Sequence, residues 1–158
     1  MDAKVERLLN ELSATEIAAK IAARETTCEE VVRDCIARVA ARDDVVKAWV
    51  NFDRALAIAQ ARALDKGTPR GPLHGVPIGL KDTIDTFDMP TELGSPIYRG
   101  NRPRSDAACV ALLRRAGAVI LGKTATCEFA GLWMIVDRRL AGLQVNTQST
   151  ARQQESEL

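Results

Sequence analysis

The residue whose type and position most favour catalysis is Lys81, which is followed by Asp82 at the end of a short apolar run. The run from Val76 to Leu80 predicts a strand, and Pro77 restricts it to a sheet edge or to the start of the strand. Burial against apolar neighbours disfavours the charged form of a lysine, so a lysine placed there can act as a base. The alternative is an ordinary exposed ion pair of Lys81 with Asp82, which composition alone favours.

A nucleophilic site built on the single histidine is a second hypothesis. His74 could be the base for Ser95, Ser105 or a cysteine as nucleophile. It lies, however, in the glycine-rich stretch 67–103 that holds all six prolines of the chain. A histidine in such a loop more often shapes the backbone through a hydrogen bond, and we favour that structural role.

Two further patterns could bind anions. The segment from Gly117 to Thr124 has the letters of a phosphate-binding loop, but its middle residues Ala-Val-Ile-Leu favour a buried strand and a helix precedes them. We therefore interpret the match as fortuitous. Arg99, Arg102 and Arg104 form a small basic cluster, which we interpret as a solvated loop.

Composition argues against several classes of function. The 158 residues carry 22 basic and 21 acidic side chains, a net charge of +1, and only 4% aromatic residues, which disfavours nucleic acid as a partner. One histidine and widely spaced cysteines predict no metal site and no cofactor. The longest apolar run, 129–136, is too short to span a membrane. With no secretion signal at the N-terminus, we expect a cytoplasmic protein with reduced cysteines.

Short helices and two strands are expected to position these residues. Capping boxes predict helices that start after Ser13 and after Thr27. A third helix is expected from Asp53 to Lys66 with Gly67 as a left-handed cap, and a fourth, with apolar Val110, Leu112 and Leu113, over 106–115. The apolar segment 118–121 predicts a strand buried in a parallel sheet.

The segment from Gly71 to Asp82 resembles the beginning of the catalytic domain of the amidase signature family. The resemblance covers about residues 5–130, and the form around His74 is more similar to bacterial general amidases than to the A subunit of the glutamyl/aspartyl-tRNA amidotransferases. The later segments that match in order and spacing are Ile84-Asp85, Pro90-Thr91, Gly94-Ser95, Tyr98, 106–124 and 128–130.

This resemblance implies an α/β fold, namely the N-terminal part of an amidase signature fold with a helical N-terminal layer and the start of a mixed sheet with covering helices. It implies hydrolysis of a carbon–nitrogen bond in a small-molecule amide by a Ser–cis-Ser–Lys triad. The lysine of that triad corresponds to Lys81. A neutral lysine there would accept the proton relayed from the attacking serine by the bridging serine.

The resemblance is lost after Ala130, where the family continues into Gly/Ser-rich segments that carry both serines. The later serines here, Ser149 and Ser156, have no adjacent glycine. We therefore expect residues 1–130 to be an incomplete amidase signature domain and residues 131–158 to be a divergent tail, either disordered or the product of a frameshift. We expect the chain to be inactive alone.

The alternatives to an amidase are a gene remnant and, from another class of function, a non-catalytic helical interaction module. It depends on an apolar stripe along the second helix and on the strand 118–121, whose parallel neighbours we expect to be missing from this chain. An unpaired apolar strand edge would favour self-association. The stripe consists of Val31, Val32, Cys35, Ile36 and Val39.

Overall fold

The computed structural model describes residues 7–131, which form four helices and a three-stranded mixed sheet. The expected α/β fold is therefore confirmed. Short 3-10 helices lie at Leu9–Glu11, Pro96–Tyr98 and Glu128–Ala130. The main elements follow in the order α1 Ala14–Ala22, α2 Cys28–Val46, β1 Trp49–Phe52, α3 Arg54–Asp65, β2 Pro77–Lys81, α4 Ala108–Arg115 and β3 Val119–Thr124.

The first two helices begin where the capping boxes predict. The Ser13 hydroxyl accepts a hydrogen bond from the amide of Glu16, whose carboxylate accepts one from the amide of Ser13. Thr27 and Glu30 repeat this exchange at the start of α2. Local sequence is sufficient to predict these helix starts because the two residues of each capping box lie within one helical turn of each other.

The third helix starts near Asp53, as predicted, but its end differs from the prediction. The Asp53 carboxylate accepts a hydrogen bond from the amide of Leu56, as expected for an N-cap. The expected left-handed conformation of Gly67 is wrong: this residue has no positive φ, and its amide donates to the carbonyl of Leu64. The carboxylate of Asp65 accepts from the amides of Cys28 and Glu29, which joins the end of α3 to the start of α2.

The sheet has the strand order β1-β3-β2, with β3 antiparallel to β1 and parallel to β2. β2 lies at an edge and begins with Pro77, as predicted. Strand β3 is paired on both sides, so the expectation that 118–121 forms an unpaired edge is wrong. Its parallel neighbour is β2, and its other neighbour, β1, is a strand that the sequence did not indicate.

A register shift between β2 and β3 determines which side chains share a face. Ile78 pairs with Ile120, whereas Gly79 pairs with Gly122, Leu80 with Lys123, and Lys81 with Thr124. One extra residue of β3 is thus accommodated as a bulge, which reverses the alternation of its side chains. Lys123 consequently lies on the same face as Ile120 and Leu80, and Lys81 lies on the opposite face with Thr124.

The helices cover the sheet through separate apolar clusters. Val119 and Leu121 pack with α2 and α3, whereas Leu80 and Ile120 pack with Met89 and with Val110 of α4. The stripe of α2 lies inward, since Val31 and Val32 are fully buried and the other three members are half-buried. The hypothesis that this stripe is a docking surface for a partner is therefore wrong. Leu112, which we expected on the apolar face of α4, is instead 56% exposed.

Within residues 7–131 no helix is both long enough and apolar enough to cross a bilayer. The divergent tail lies outside the described residues from position 132 onward.

Candidate active-site edge of the sheet

Lys81 ends β2 at the edge of the sheet where β3 also ends. Because β2 and β3 are parallel, the segments that follow them, 82–107 and 125–131, leave from this same edge. The amide of Asp82 donates to the carbonyl of Thr124 over 3.0 Å, so the last backbone bond between the two strands lies directly after Lys81. The strand predicted from 76–80 therefore places Lys81 where the parallel strands β2 and β3 both end.

The surroundings of Lys81 differ from both sequence-based expectations. Within the described residues Lys81 is exposed, so the expected apolar burial of this lysine is not found there. An exposed ion pair of Lys81 with Asp82 is also wrong, because Asp82 is only 2% exposed and its carboxylate lies 3.4 Å from Nζ of Lys123. The chain thus separates the two neighbours onto different sides of the sheet edge.

The buried lysine of this region is Lys123, whose side chain is fully inaccessible. Its Nζ donates to Oγ1 of Thr91 over 2.6 Å and to the carbonyl of Pro90 over 3.1 Å, and it pairs with Asp82. Burial lowers the pKa of Lys123, and the charges of Asp82, Asp85 and Asp88 oppose that shift. An amine with three polar neighbours is the arrangement expected for a charge kept away from water.

The contact between Thr91 and Lys123 has the composition of a hydroxyl–amine dyad, but its geometry excludes attack on a substrate. Thr91 is 1% exposed, and its hydroxyl is also within 3.4 Å of the carbonyl of Ile84. Its amide and carbonyl are both bonded to Asn101. An enclosed hydroxyl cannot reach a substrate carbonyl, so we assign this pair a structural role.

A second polar contact joins the two segments that leave the sheet edge. The hydroxyl of Ser95 donates to Oε1 of Glu128 over 2.7 Å, and Ser95 is only 5% exposed. The amide of Phe129 donates to the carbonyl of Leu93, and a Cβ on Gly94 would lie 2.6 Å from the carbonyl oxygen of Thr126. The hydrogen bond of Ser95 therefore helps to hold segment 93–95 against segment 126–129. Because its hydroxyl is engaged in this contact, Ser95 is not placed as a nucleophile.

His74 lies at the other end of β2, before the strand begins. Its Nδ1 accepts a hydrogen bond from the amide of Arg70 over 3.3 Å, and the neighbouring residues Leu73 and Gly75 donate to the carbonyls of Ala116 and Gly117. The histidine therefore shapes the loop before β2, as favoured from the sequence. The structure does not bring His74 together with Ser95 or Lys81.

The two cysteines of α2, Cys28 and Cys35, are not placed as nucleophiles either. Burial, with a smaller contribution from Asp65, raises the pKa of the Cys28 thiol to about 12, and burial raises the pKa of the Cys35 thiol to about 11. Thiols with such values carry little thiolate near neutral pH. Among the described residues no group of three histidine, cysteine or carboxylate side chains is close enough to hold a metal ion.

The two anion-binding patterns have structural roles. Residues 119–124 form β3, and their backbone amides are used in the sheet, so the phosphate-loop letters do not make an open loop. Arg99, Arg102 and Arg104 are exposed, as expected for a solvated loop, and Arg102 donates to the carbonyl of Asp88.

Sequence reasoning missed Lys123 because it is read as part of the rejected phosphate-loop pattern. The residue follows an unbroken apolar strand, which is a signal for burial, but only the bulge and the folded segment 82–106 reveal its partners. The contact between Ser95 and Glu128 was likewise not predictable, since 33 positions separate the two residues.

Comparison with known proteins defines the class to which this fold and sheet edge belong. The family model described as Amidase matches residues 30–139, and the chain therefore belongs to the amidase family. It is 47% identical over 123 residues to the A subunit of the glutamyl-tRNA(Gln) amidotransferase of Streptomyces coelicolor, covering 75% of this chain and 25% of that protein. It is 43% identical over 131 residues to AmiD of Mycobacterium tuberculosis, named as an amidase, covering 80% and 28%. These values do not favour the general amidases over the A subunits.

Solved structures support the same assignment. The native peptide amidase of Stenotrophomonas maltophilia matches with a TM-score of 0.71 and 36% identity, covering 75% of this chain and 26% of that one. A fatty acid amide hydrolase matches with a TM-score of 0.70 and 31% identity, covering 75% and 22%. The chain thus spans about a quarter of the length of the relatives that it matches.

Proposed function

We propose that this chain forms the lysine-bearing part of an amidase active site, and that the activity to which it contributes is hydrolysis of the carbon–nitrogen bond of a small-molecule amide. The observation that carries the proposal is the position of Lys81. It ends an edge strand that is parallel to the central strand, within the Gly71–Asp82 motif of a chain that belongs to the amidase family.

In the proposed reaction, a serine oxygen attacks the amide carbon while a second serine passes the proton of the first to Nζ of Lys81. The amine of Lys81 must be neutral to accept it. The proton then returns to the leaving nitrogen as the carbon–nitrogen bond breaks, and water cleaves the acyl-serine ester to release the acid. Exposure of Lys81 within the described residues is compatible with this role because its amine is free to meet groups from outside them.

We further propose that a polypeptide of these 158 residues does not hydrolyse amides by itself. It contains five serines, at positions 13, 95, 105, 149 and 156, and none follows a Gly-Gly pair. Ser95, which is the best enclosed of the described serines, is already engaged with Glu128. Both serines of the triad are therefore proposed to come from further sequence.

A chimaera tests the function without assuming that the chain is active alone. Residues 7–131 replace the matching quarter of the Stenotrophomonas maltophilia peptide amidase, and release of ammonia from a peptide amide is measured. The identity of 36% and the TM-score of 0.71 favour a compatible interface. We expect hydrolysis by the chimaera and a loss of at least about a hundredfold in kcat for Lys81→Ala, as is typical for removal of a proton-transfer group.

The matched control is Lys66→Ala, since Lys66 is an exposed lysine at the end of α3, away from the sheet edge. This variant should keep the activity of the parent chimaera. Full activity in a folded Lys81→Ala chimaera would overturn the assignment of Lys81. Hydrolysis by the purified 158-residue polypeptide, abolished in Lys81→Ala, would overturn the proposed dependence on further sequence.

We also propose a cytoplasmic location for the protein. The free state of the four cysteines in the described residues supports it, because disulfides are rare in reducing compartments. Expression of a fluorescent fusion and fractionation of the cells test this proposal, and recovery in the periplasm or the medium would contradict it.

A further inference from the structure

Lys123, the buried partner of Asp82, lies on β3, the strand next to the one that ends at Lys81. Lys123 is opposite Leu80 in the register of β2 and β3, and Thr124 is opposite Lys81. Asp82 is held by both residues of β3, because its amide donates to the carbonyl of Thr124 and its carboxylate lies 3.4 Å from Nζ of Lys123. The position at which Lys81 leaves the sheet is therefore determined by contacts of its neighbour.

The carboxylate of Asp82 has further backbone partners, which hold it in place. It accepts the amide of Glu92 over 3.2 Å, and the carbonyl of Asp82 accepts the amide of Leu93 over 3.1 Å. The segment that follows β2 thus folds back onto Asp82. With 2% exposure, the carboxylate cannot turn outward to water without disrupting this segment.

Besides holding Asp82 in place, Lys123 compensates the charge of its carboxylate. The charged groups that act on Lys123 are Asp82, Asp85 and Asp88, all from the segment after β2. Asp88 is already paired with Arg114 at 2.8 Å, and Asp85 is exposed, so Asp82 is the carboxylate that Lys123 neutralises at close range. A carboxylate without this partner would favour the charged form of any amine nearby.

We propose that Lys123 is a positioning residue for Lys81: it anchors and neutralises Asp82, so that the end of β2 is fixed and the amine of Lys81 is not held in its charged form by an unpaired carboxylate next to it in the chain. The proposal rests on the proposed function, in which Lys81 accepts a proton. It assigns Lys123 no contact with the substrate.

Competitive acylation of the intact 158-residue chain tests the proposal without any hydrolytic activity. The protein is acylated with light acetic anhydride between pH 7 and 11, unfolded, and labelled to completion with the heavy reagent. Trypsin then cleaves only at arginine, and three of the resulting peptides, 63–70, 71–99 and 116–138, carry the single lysines Lys66, Lys81 and Lys123. The pH midpoint of labelling is measured at each lysine by mass spectrometry.

The expected pattern depends on charge. In Lys123→Met the labelling midpoint of Lys81 should rise to higher pH, because the carboxylate of Asp82 then lacks its buried partner. In the double variant with Asp82→Asn it should return to within about 0.2 unit of the parent, since both charges are then removed. Lys66 serves as the internal control, and its midpoint should not move.

A folded Lys123→Met protein with an unchanged Lys81 midpoint would overturn the proposal, and so would a double variant shifted as far as the single one. Circular dichroism establishes folding of each variant. If Lys123→Met does not fold, Asp82→Asn alone decides: it leaves the charge of Lys123 unpaired, so it should lower the Lys81 midpoint, and an unchanged or raised midpoint would refute charge compensation. An inactive chimaera together with the expected labelling pattern would refute only the proposed hydrolysis.

Discussion

Substitution of Gly122 by alanine tests the pairing of β1 with β3, which holds the central strand in its register. A Cβ at this position would lie 2.3 Å from the carbonyl oxygen of Asn51 and 3.1 Å from a ring carbon of Trp49. Since the first contact is with backbone, a change of rotamer cannot relieve it. The two strands would have to separate by about 1 Å to restore an ordinary contact distance.

The magnitude follows from what this separation breaks. Strand β1 is paired with β3 from Trp49 to Phe52, and an increase of about 1 Å takes hydrogen bonds of about 2.9 Å beyond a useful length. Two such bonds at about 1 kcal/mol each, together with loosened packing of the two aromatic rings, give a loss of about 3 kcal/mol in the free energy of unfolding. This is a large share of the stability of a small domain.

Urea denaturation followed by far-UV circular dichroism measures this loss, and amide hydrogen exchange locates it. Protection should fall first in β1 and in the residues of β3 that face it. Gly67→Ala is the matched control, because its Cβ would find no atom closer than 3.6 Å and its φ is not positive. The control should change the free energy of unfolding by less than about 0.5 kcal/mol. A Gly122→Ala protein as stable as the control, with β1 still protected, would refute the pairing described for β1 and β3.

Three further outcomes are expected in the same urea assay. The double-mutant cycle of Ser95→Ala and Glu128→Gln should show a coupling of about 1–2 kcal/mol, as for a hydrogen bond to a charged group, and additive effects would contradict the contact. Hydrogen bonds from Arg62 and a second arginine lower the pKa of Glu29 to about 2, so their stabilising effect is complete above the ordinary value of 4.5 and is lost as the pH falls toward 2. Glu29→Gln should therefore lose less stability over this acid range than the parent, and equal losses would count against the ion pairs. Burial lowers the pKa of Lys123 below its ordinary value of 10.5, so just below pH 10.5 the unfolded chain binds more protons than the folded one. The free energy of unfolding should therefore rise with pH in this range. In Lys123→Met this rise should be absent.

Predictions from local sequence succeeded where all partners lie within one helical turn. The capping boxes at Ser13 and Thr27 and the start of the third helix near Asp53 were predicted correctly. The strand that ends at Lys81 was also predicted, because Pro77 and the apolar run are local signals. The left-handed cap at Gly67 was wrong because this chain leaves α3 through Lys66 in a helical conformation.

Predictions that depended on distant partners failed. Strand β1 has only four residues, and its place in the sheet depends on β3 about 70 positions later. The apolar segment 118–121 was expected to lack neighbours, but β1 and β2 flank the strand that contains it. The exposure of Lys81 and the burial of Asp82 and Lys123 could not be derived from sequence because the bulge in β3 decides which side chains share a face.

Residue types at short spacings were enough to predict the resemblance to the amidases, the starts of the first three helices, and Lys81 as the end of a strand at the sheet edge. The partners of the residues around that lysine depend instead on how distant segments pack. Asp82 pairs with Lys123 and Ser95 with Glu128 across 41 and 33 positions of the chain, as the register of β3 and the fold of the segment after β2 bring them together. A buried charge or hydroxyl must be paired with whichever polar group packing brings close to it, and packing depends on the whole core.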